Sequence, residues 1–265
     1  ERERAAIRAR CGQPHSAFGS AHRAPAVLRM AMTSGYRHPC TRQRKWGGDF
    51  YDFFLIDQDH CGVVIADVSG KGVPAALFMM RVKALLNQLL REDLSPDQVL
   101  ARANDGLCED NEAGMFVRCG LGVLDLRSGK LVYANGGHNP PLYRHADGSV
   151  EWMRDRSGLL LGSFEGVPYR VFERTMIRGD SLILYTDGVT EAMDASDHWL
   201  RRTNACSSWW RRECDGYPAS VSGVIEEDVR AFAEGADQAD DITLLVLRYD
   251  GQENGPAASA AGNRG

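Results

Sequence analysis

The sequence predicts an α+β fold in which helices cover the faces of antiparallel sheets. Three observations carry that expectation. Segments rich in β-branched and aromatic residues recur along the chain between turn signals: "DFYDFFLID", "GVVIADV", "FVRCGLGVLDL", "KLVYANGG", "VEWMR", "YRVFERTMI", "SLILYTDG" and "ITLLVLRYD". Short turns such as "RSGK" and "HADGSV" join neighbouring segments, with glycine free to take positive φ. Hairpins in series imply antiparallel pairing, and the helical patterns are segregated from the strands instead of alternating with them.

Taken in order, residues 1 to about 10 ("ERERAAIRAR") read as a charged helix that could continue from an upstream module. The chain opens at Glu1, not Met, which suggests a fragment. After the strand "GVVIADV", Gly72 to Arg91 reads as a helix with Val73, Leu77, Met80, Ala84 and Leu85 near one face. Ser95 is placed to cap a second helix, with Pro96 at its first position and Asp97 and Gln98 in its first turn. A third helix is expected over roughly Ser220 to Ala233. "GQENGPAASAAGNRG" has no periodicity and reads as a disordered tail. The expected organisation is a linker helix and divergent segment over 1–46, one domain over 47–250 and the tail over 251–265.

Composition excludes several roles. A formal charge of -5 does not suit a protein that coats nucleic acid or an anionic membrane. No apolar run approaches the roughly 20 residues of a membrane span, and no signal peptide is visible, so a cytoplasmic location is expected. The seven cysteines form no C-x-x-C pair and read as free thiols.

Acids stand at the ends of four apolar segments: Asp49 in "WGGDFYD", Asp67 in "VIADVSGKG", Asp187 in "LILYTDGVTEA", and the pair Asp240 and Asp241 in "ADDITLLVL". A carboxylate beside a core is costly unless it is paired or binds a metal. Hard cations such as Mg²⁺ and Mn²⁺ prefer oxygen ligands, and they relieve the repulsion between converging carboxylates. Taken singly, each acid reads more readily as a turn residue, and Asp67 is open to a reading as a helix cap. Two phosphate-related patterns fail. "GGDF" lacks the Glu of the diguanylate cyclase motif. "SGKG" has Ile65 and Gly72 where a Walker motif needs Gly and Ser or Thr.

"GGDFYDFF", "ADVSGKGVPAALFM", "ANGGHNPPLY", "LYTDGVTEA" and "DDITLLVL", in that order, resemble the SpoIIE-like (RsbU-like) serine phosphatases of the metal-dependent protein phosphatase 2C-like family. The resemblance covers roughly Gly47 to Arg248. It implies a four-layer α-β-β-α sandwich of two antiparallel sheets flanked by helices. It also implies hydrolysis of phosphoserine or phosphothreonine on a regulatory partner, of the anti-sigma-factor antagonist type, by a bridging metal-bound water held between two Mn²⁺ or Mg²⁺ ions. Carried over by motif, Asp49, Asp67, Asp187 and Asp240 are the expected catalytic acids. Asp67 would bridge the metals, and the Val68 carbonyl and Asp241 would complete the metal set. An upstream sensor and a homodimer through the N-terminal helix are further expectations. Where the wider family often carries a His after the bridging acid, this chain has Ser69-Gly70. His138 in "GGHNPP" is then the histidine to consider, with a structural role bonding the hairpin backbone preferred for it. The rival from another class is a catalytically inactive phosphatase fold that binds a partner.

Residues 11–46 and 196–218 depart from the family pattern. They hold Cys11, Cys40, Cys206 and Cys214, together with Trp46, Trp199, Trp209 and Trp210. Two accounts stand: a divergent partner-binding surface rich in aromatic and Arg residues, or local translation in a shifted frame that is restored on each side.

Overall fold

The computed structural model describes residues 27–34, 48–194, 196, 198–200, 217–233, 236 and 242–251. Among these residues the strands are β1 (Leu28–Ser34), β2 (Phe50–Leu55), β3 (His60–Val68), β4 (Val117–Asp125), β5 (Lys130–Gly136), β6 (Leu142–Arg144), β7 (Val150–Trp152), β8 (Phe172–Thr175), β9 (Ser181–Tyr185) and β10 (Thr243–Tyr249). Helices α1 (Val73–Leu89) and α2 (Pro96–Cys108) follow β3, a one-turn α3 (Asp187–Thr190) follows β9, and α4 (Pro218–Phe232) precedes β10. The strands form two five-stranded antiparallel sheets, ordered β1-β10-β9-β6-β7 and β2-β3-β4-β5-β8.

Alternation along the strands builds the layers. On β3, Val63 and Ile65 point between the sheets and meet Leu182, Leu184, Leu245 and Leu247 from the facing sheet. Val64, Ala66 and Val68 point the other way and meet Phe78, Val82 and Leu86 of α1 and Leu100 and Leu107 of α2. Because both its faces are covered, β3 reads as a continuous apolar run. Across the sandwich, Ile183, Leu244 and Val246 take Val221, Ile225 and Val229 of α4 on their outer face. The result is the α-β-β-α sandwich. The expected hairpins close as predicted, with Gly129 and Gly148 at positive φ. The Ser95 amide bonds the Gln98 side chain at 3.1 Å at the start of α2.

Three differences from the sequence expectation have physical causes. First, α1 does not bury the face carrying Val73, Leu77, Met80 and Ala84. Val73, Leu77 and Met80 are 63%, 63% and 53% exposed, while Ala75, Phe78, Met79, Val82, Leu86 and Leu89 face the sheet. Both stripes begin apolar. The buried one stays apolar into the last turn, whereas the other runs into Asn87 and Gln88. Second, Leu28–Ser34, upstream of the expected boundary at 47, pairs with β10 over seven residues, so this sheet draws on the segment read as divergent. Third, β6 is a three-residue strand hemmed by Pro140 and Pro141 and too short for a pattern. The linker helix over 1–10, the tail from 252, and most of 11–46 and 196–218 lie outside the described residues. Among those described, Cys61, Cys108 and Cys119 are free thiols, and no helix is long and apolar enough to cross a membrane.

Candidate metal centre

Strand register brings the first acids together. Phe50, the first residue of β2, pairs with Ala66, and just before the strand Asp49 lies beside Asp67 and Gly48 beside Val68. On the other side of β3, Asp67 pairs with Arg118 of β4. One rung of the β3–β4 ladder therefore carries acid and guanidinium, and Asp49, just before β2, comes close enough to share a hydrogen bond with Asp67. Gly48 is required here: a Cβ on it would lie 2.7 Å from the Val68 carbonyl oxygen. The turn beyond Asp67 is pinned to β4, since the Ser69 amide donates to the Phe116 carbonyl and the Phe116 amide donates to the Ser69 hydroxyl, both at 2.9 Å. The cap of α1 is Gly72, so Asp67 is not the helix cap.

Asp187 arrives from the other sheet, at the start of α3 directly after β9. Thr186 holds this junction. Its amide donates to the Thr243 carbonyl and its hydroxyl accepts from the Thr243 amide, each at 3.0 Å. The same hydroxyl bonds the Asp49 carboxyl. Arg118 Nη2 bonds both Asp67 and Asp187, so one guanidinium ties the carboxylates of the two sheets.

The electrostatics follow from this crowding. Burial, then the neighbouring Asp67 and Asp187 charges, push Asp49 up to about 9, and Asp49 and Asp67 share a hydrogen bond. Asp67 is also raised, by burial first, with Arg118 acting in the opposite sense. Burial would lower Arg118, but Asp67 and Asp187 outweigh it and hold the guanidinium above its ordinary range. Asp49 Oδ2 is buried without a hydrogen-bond partner among the described residues.

Asp49, Asp67 and Asp187 are thus brought together, with the Val68 carbonyl beside Gly48. Asp240 and Asp241 lie outside the described residues. His138 is buried, and its imidazole is pushed down to about 4 by burial, with Arg118 adding to the effect. Its Nδ1–H donates to the Asn139 carbonyl at 3.2 Å. Its amide donates to Asn135 Oδ1 at 2.7 Å, and Asn135 Nδ2 returns a bond to the His138 carbonyl at 3.1 Å. A neutral imidazole tied to backbone suits the structural role. Sequence reasoning missed Arg118 and Thr186. For Arg118 a signal existed: a charged residue between the buried positions Val117 and Cys119 of an otherwise apolar strand.

The family profile described as Stage II sporulation protein E (SpoIIE) matches residues 57–250. The phosphoserine phosphatase RsbU of Bacillus subtilis (strain 168) is 28% identical over 205 residues, covering 77% of this chain and 60% of that protein. The chain spans 36% to 60% of the lengths of the curated relatives it matches. Among solved structures, the PP2C phosphatase domain of SpoIIE from Bacillus subtilis superposes with a TM-score of 0.72 at 18% identity, covering 85% of this chain and 63% of that one. The RsbU and RsbW domains of Rv1364c from Mycobacterium tuberculosis give 0.67 at 24%, covering 85% and 61%. The structural likenesses speak to the fold, and the family match extends over most of the chain: it belongs to the SpoIIE family.

Proposed function

We propose that this chain is a divalent-cation-dependent protein phosphatase acting on phosphoserine or phosphothreonine of a regulatory partner protein. The observation that carries the reading is the convergence of Asp49, Asp67 and Asp187 from both sheets onto one edge of the sandwich. The donor chemistry suits a hard cation, although with Arg118 between Asp67 and Asp187 the described side chains form no group of three placed to hold one. The donors are all oxygens, Asp49 Oδ2 is buried and unsatisfied among the described residues, and the carboxyls are packed closely enough for Asp49 to share a hydrogen bond with Asp67. Asp49, Asp67, Asp187 and the Val68 carbonyl would hold the ions, and Asp240 and Asp241 join them by motif. Two Mn²⁺ or Mg²⁺ ions would supply an activated water and neutralise the phosphoryl oxygens.

The protein's own residues make such a site ready. The Phe50–Ala66 pairing at the start of β2 brings Asp49 beside Asp67, Thr186 orients Asp49, and the Ser69–Phe116 pair stops the Asp67 turn from drifting. Carboxylates on a fixed backbone need little main-chain rearrangement when a cation arrives. His138, neutral and bonded to backbone, is a poor proton donor to a leaving group.

The name of the relative RsbU, a phosphoserine phosphatase, supports the phosphoserine substrate. The partner is proposed to be a phosphorylated anti-sigma-factor antagonist in the cytoplasm, with an upstream sensor and pairing through residues 1–10 as further parts of that reading. One observation favours the rival, an inactive binding module: Arg118 already neutralises two of the acids. Phosphate release from a phosphoserine peptide decides between them. Release that requires Mn²⁺ and stops with chelator supports the phosphatase, and no release at any Mn²⁺ concentration supports the binding module.

A further inference from the structure

Arg118 stands at the centre with no role assigned to it by the motifs, and it is the cation among the described acids. Its guanidinium bonds Asp67, opposite it in the β3–β4 ladder, and Asp187, from the facing sheet. These are two of the acids proposed as ligands, so this inference rests on the metal reading above. A guanidinium and a divalent cation both neutralise carboxylates, and the same oxygens cannot serve both at full strength.

We propose that Arg118 is a tethered counter-cation that holds Asp67 and Asp187 in the metal-free protein and is displaced when metal binds. Three features fit. Arg118 removes the carboxylate repulsion that would otherwise push the two sheets apart at this edge, so the empty centre stays assembled. Its side chain is about one-third exposed, so it can leave toward solvent without disturbing the core. It is anchored on β4, the strand paired to β3, so on leaving it stays close enough to return when metal is lost. The device sets a threshold: metal must outcompete a built-in cation, and occupancy falls off sooner than three carboxylates alone would allow.

The test uses the full chain and Mn²⁺ alone. Bound Mn²⁺ is counted from the loss of the free-ion paramagnetic resonance signal, for the parent, Arg118→Gln and Arg118→Lys. Arg118→Gln is expected to bind Mn²⁺ on the order of tenfold more tightly and, under chelator, to melt at a lower temperature than the parent. Arg118→Lys, which keeps the charge but loses the planar fork, falls between them. In the parent, labelling by phenylglyoxal read at the Arg118 peptide should rise at least severalfold on Mn²⁺ loading. Labelling at the exposed Arg127 should stay constant. Equal Mn²⁺ affinity in all three proteins, or Arg118 labelling indifferent to Mn²⁺, overturns the displacement while leaving the metal reading intact. If Arg118→Gln does not fold, the labelling of the parent alone decides. Failure of every protein to bind Mn²⁺ overturns both readings.

Discussion

Asn87 of α1 donates through Nδ2 to Asp52 Oδ2 of β2 at 2.7 Å, and Lys83 Nζ stands 3.4 Å from the same oxygen. Asp52 is 2% exposed, so a buried carboxylate anchors the helix that follows Asp67 onto the strand that follows Asp49. Its other oxygen accepts from the Phe53 amide at 3.0 Å. Removing one partner of a buried pair strands the other. Asp52→Ala should therefore lower stability by about 3 kcal/mol in urea unfolding. Lys83→Met, which removes the cation from beside the buried Asp52 carboxylate, should cost a comparable amount. A cost for Asp52→Ala no larger than that of a surface substitution would show that α1 does not depend on this anchor.

The two apolar stripes of α1 give a second test. Phe78→Ala, on the buried stripe, should cost about 3–5 kcal/mol, whereas Leu77→Ala, one residue earlier and exposed, should change stability by less than about 0.5 kcal/mol. Chemical denaturation of the two variants reads the helix rotation directly. Equal costs would mean that the helix sits differently on the sheet.

That contrast also marks where the sequence stopped being informative. A helix was legible over "VPAALFMMRVKALLNQL", but its rotation is set by the sheet beneath it, and nearly every early position is apolar. β3 and β10 were legible because burial on both faces leaves long β-branched runs. β1, with "LRMAMTS", carries weak strand propensity and is held by its seven pairings with β10, more than two hundred residues away. At the site, the acids were legible because carboxylates at the ends of apolar strands are conspicuous. Their meeting was not: Asp49 reaches Asp67 through the β2–β3 register, and Asp187 enters from another sheet. Arg118 depends on register twice, once to face Asp67 and once to reach Asp187.

His138 predicts a pH response. Its folded pKa, about 4, lies below the ordinary 6.5, so the unfolded chain binds a proton more readily than the native one. The contribution is fully present above pH 6.5 and is lost as pH falls toward 4. The loss amounts to about 3 kcal/mol at its limit, given about 1.4 kcal/mol per unit of difference. Urea midpoints at pH 7.5 and pH 4.5 should fall more steeply for the parent than for His138→Gln, which cannot titrate. Parallel declines in the two proteins would place the acid sensitivity elsewhere.

Asp67→Asn separates a metal ligand from a mere partner of Arg118. With chelator present, the substitution removes an ion pair with Arg118 and also the repulsion between Asp67 and Asp187. These offset one another, so stability should move by no more than about 1 kcal/mol. With Mn²⁺ present the two roles diverge. Metal that binds only the native parent stabilises it by about 2.7 kcal/mol at a hundredfold excess over its dissociation constant. If Asp67 is a metal ligand, the variant should lose most of that gain. Helix capping does not confuse the result, because the cap of α1 is Gly72, five residues on. Thermal unfolding of both proteins, with chelator and with Mn²⁺, gives four melting temperatures, and the informative quantity is the Mn²⁺-induced rise in each protein. A variant that retains the parent's full rise would remove Asp67 from the metal centre, leaving it as the anchor for Arg118 alone, and would take the principal support from the phosphatase reading.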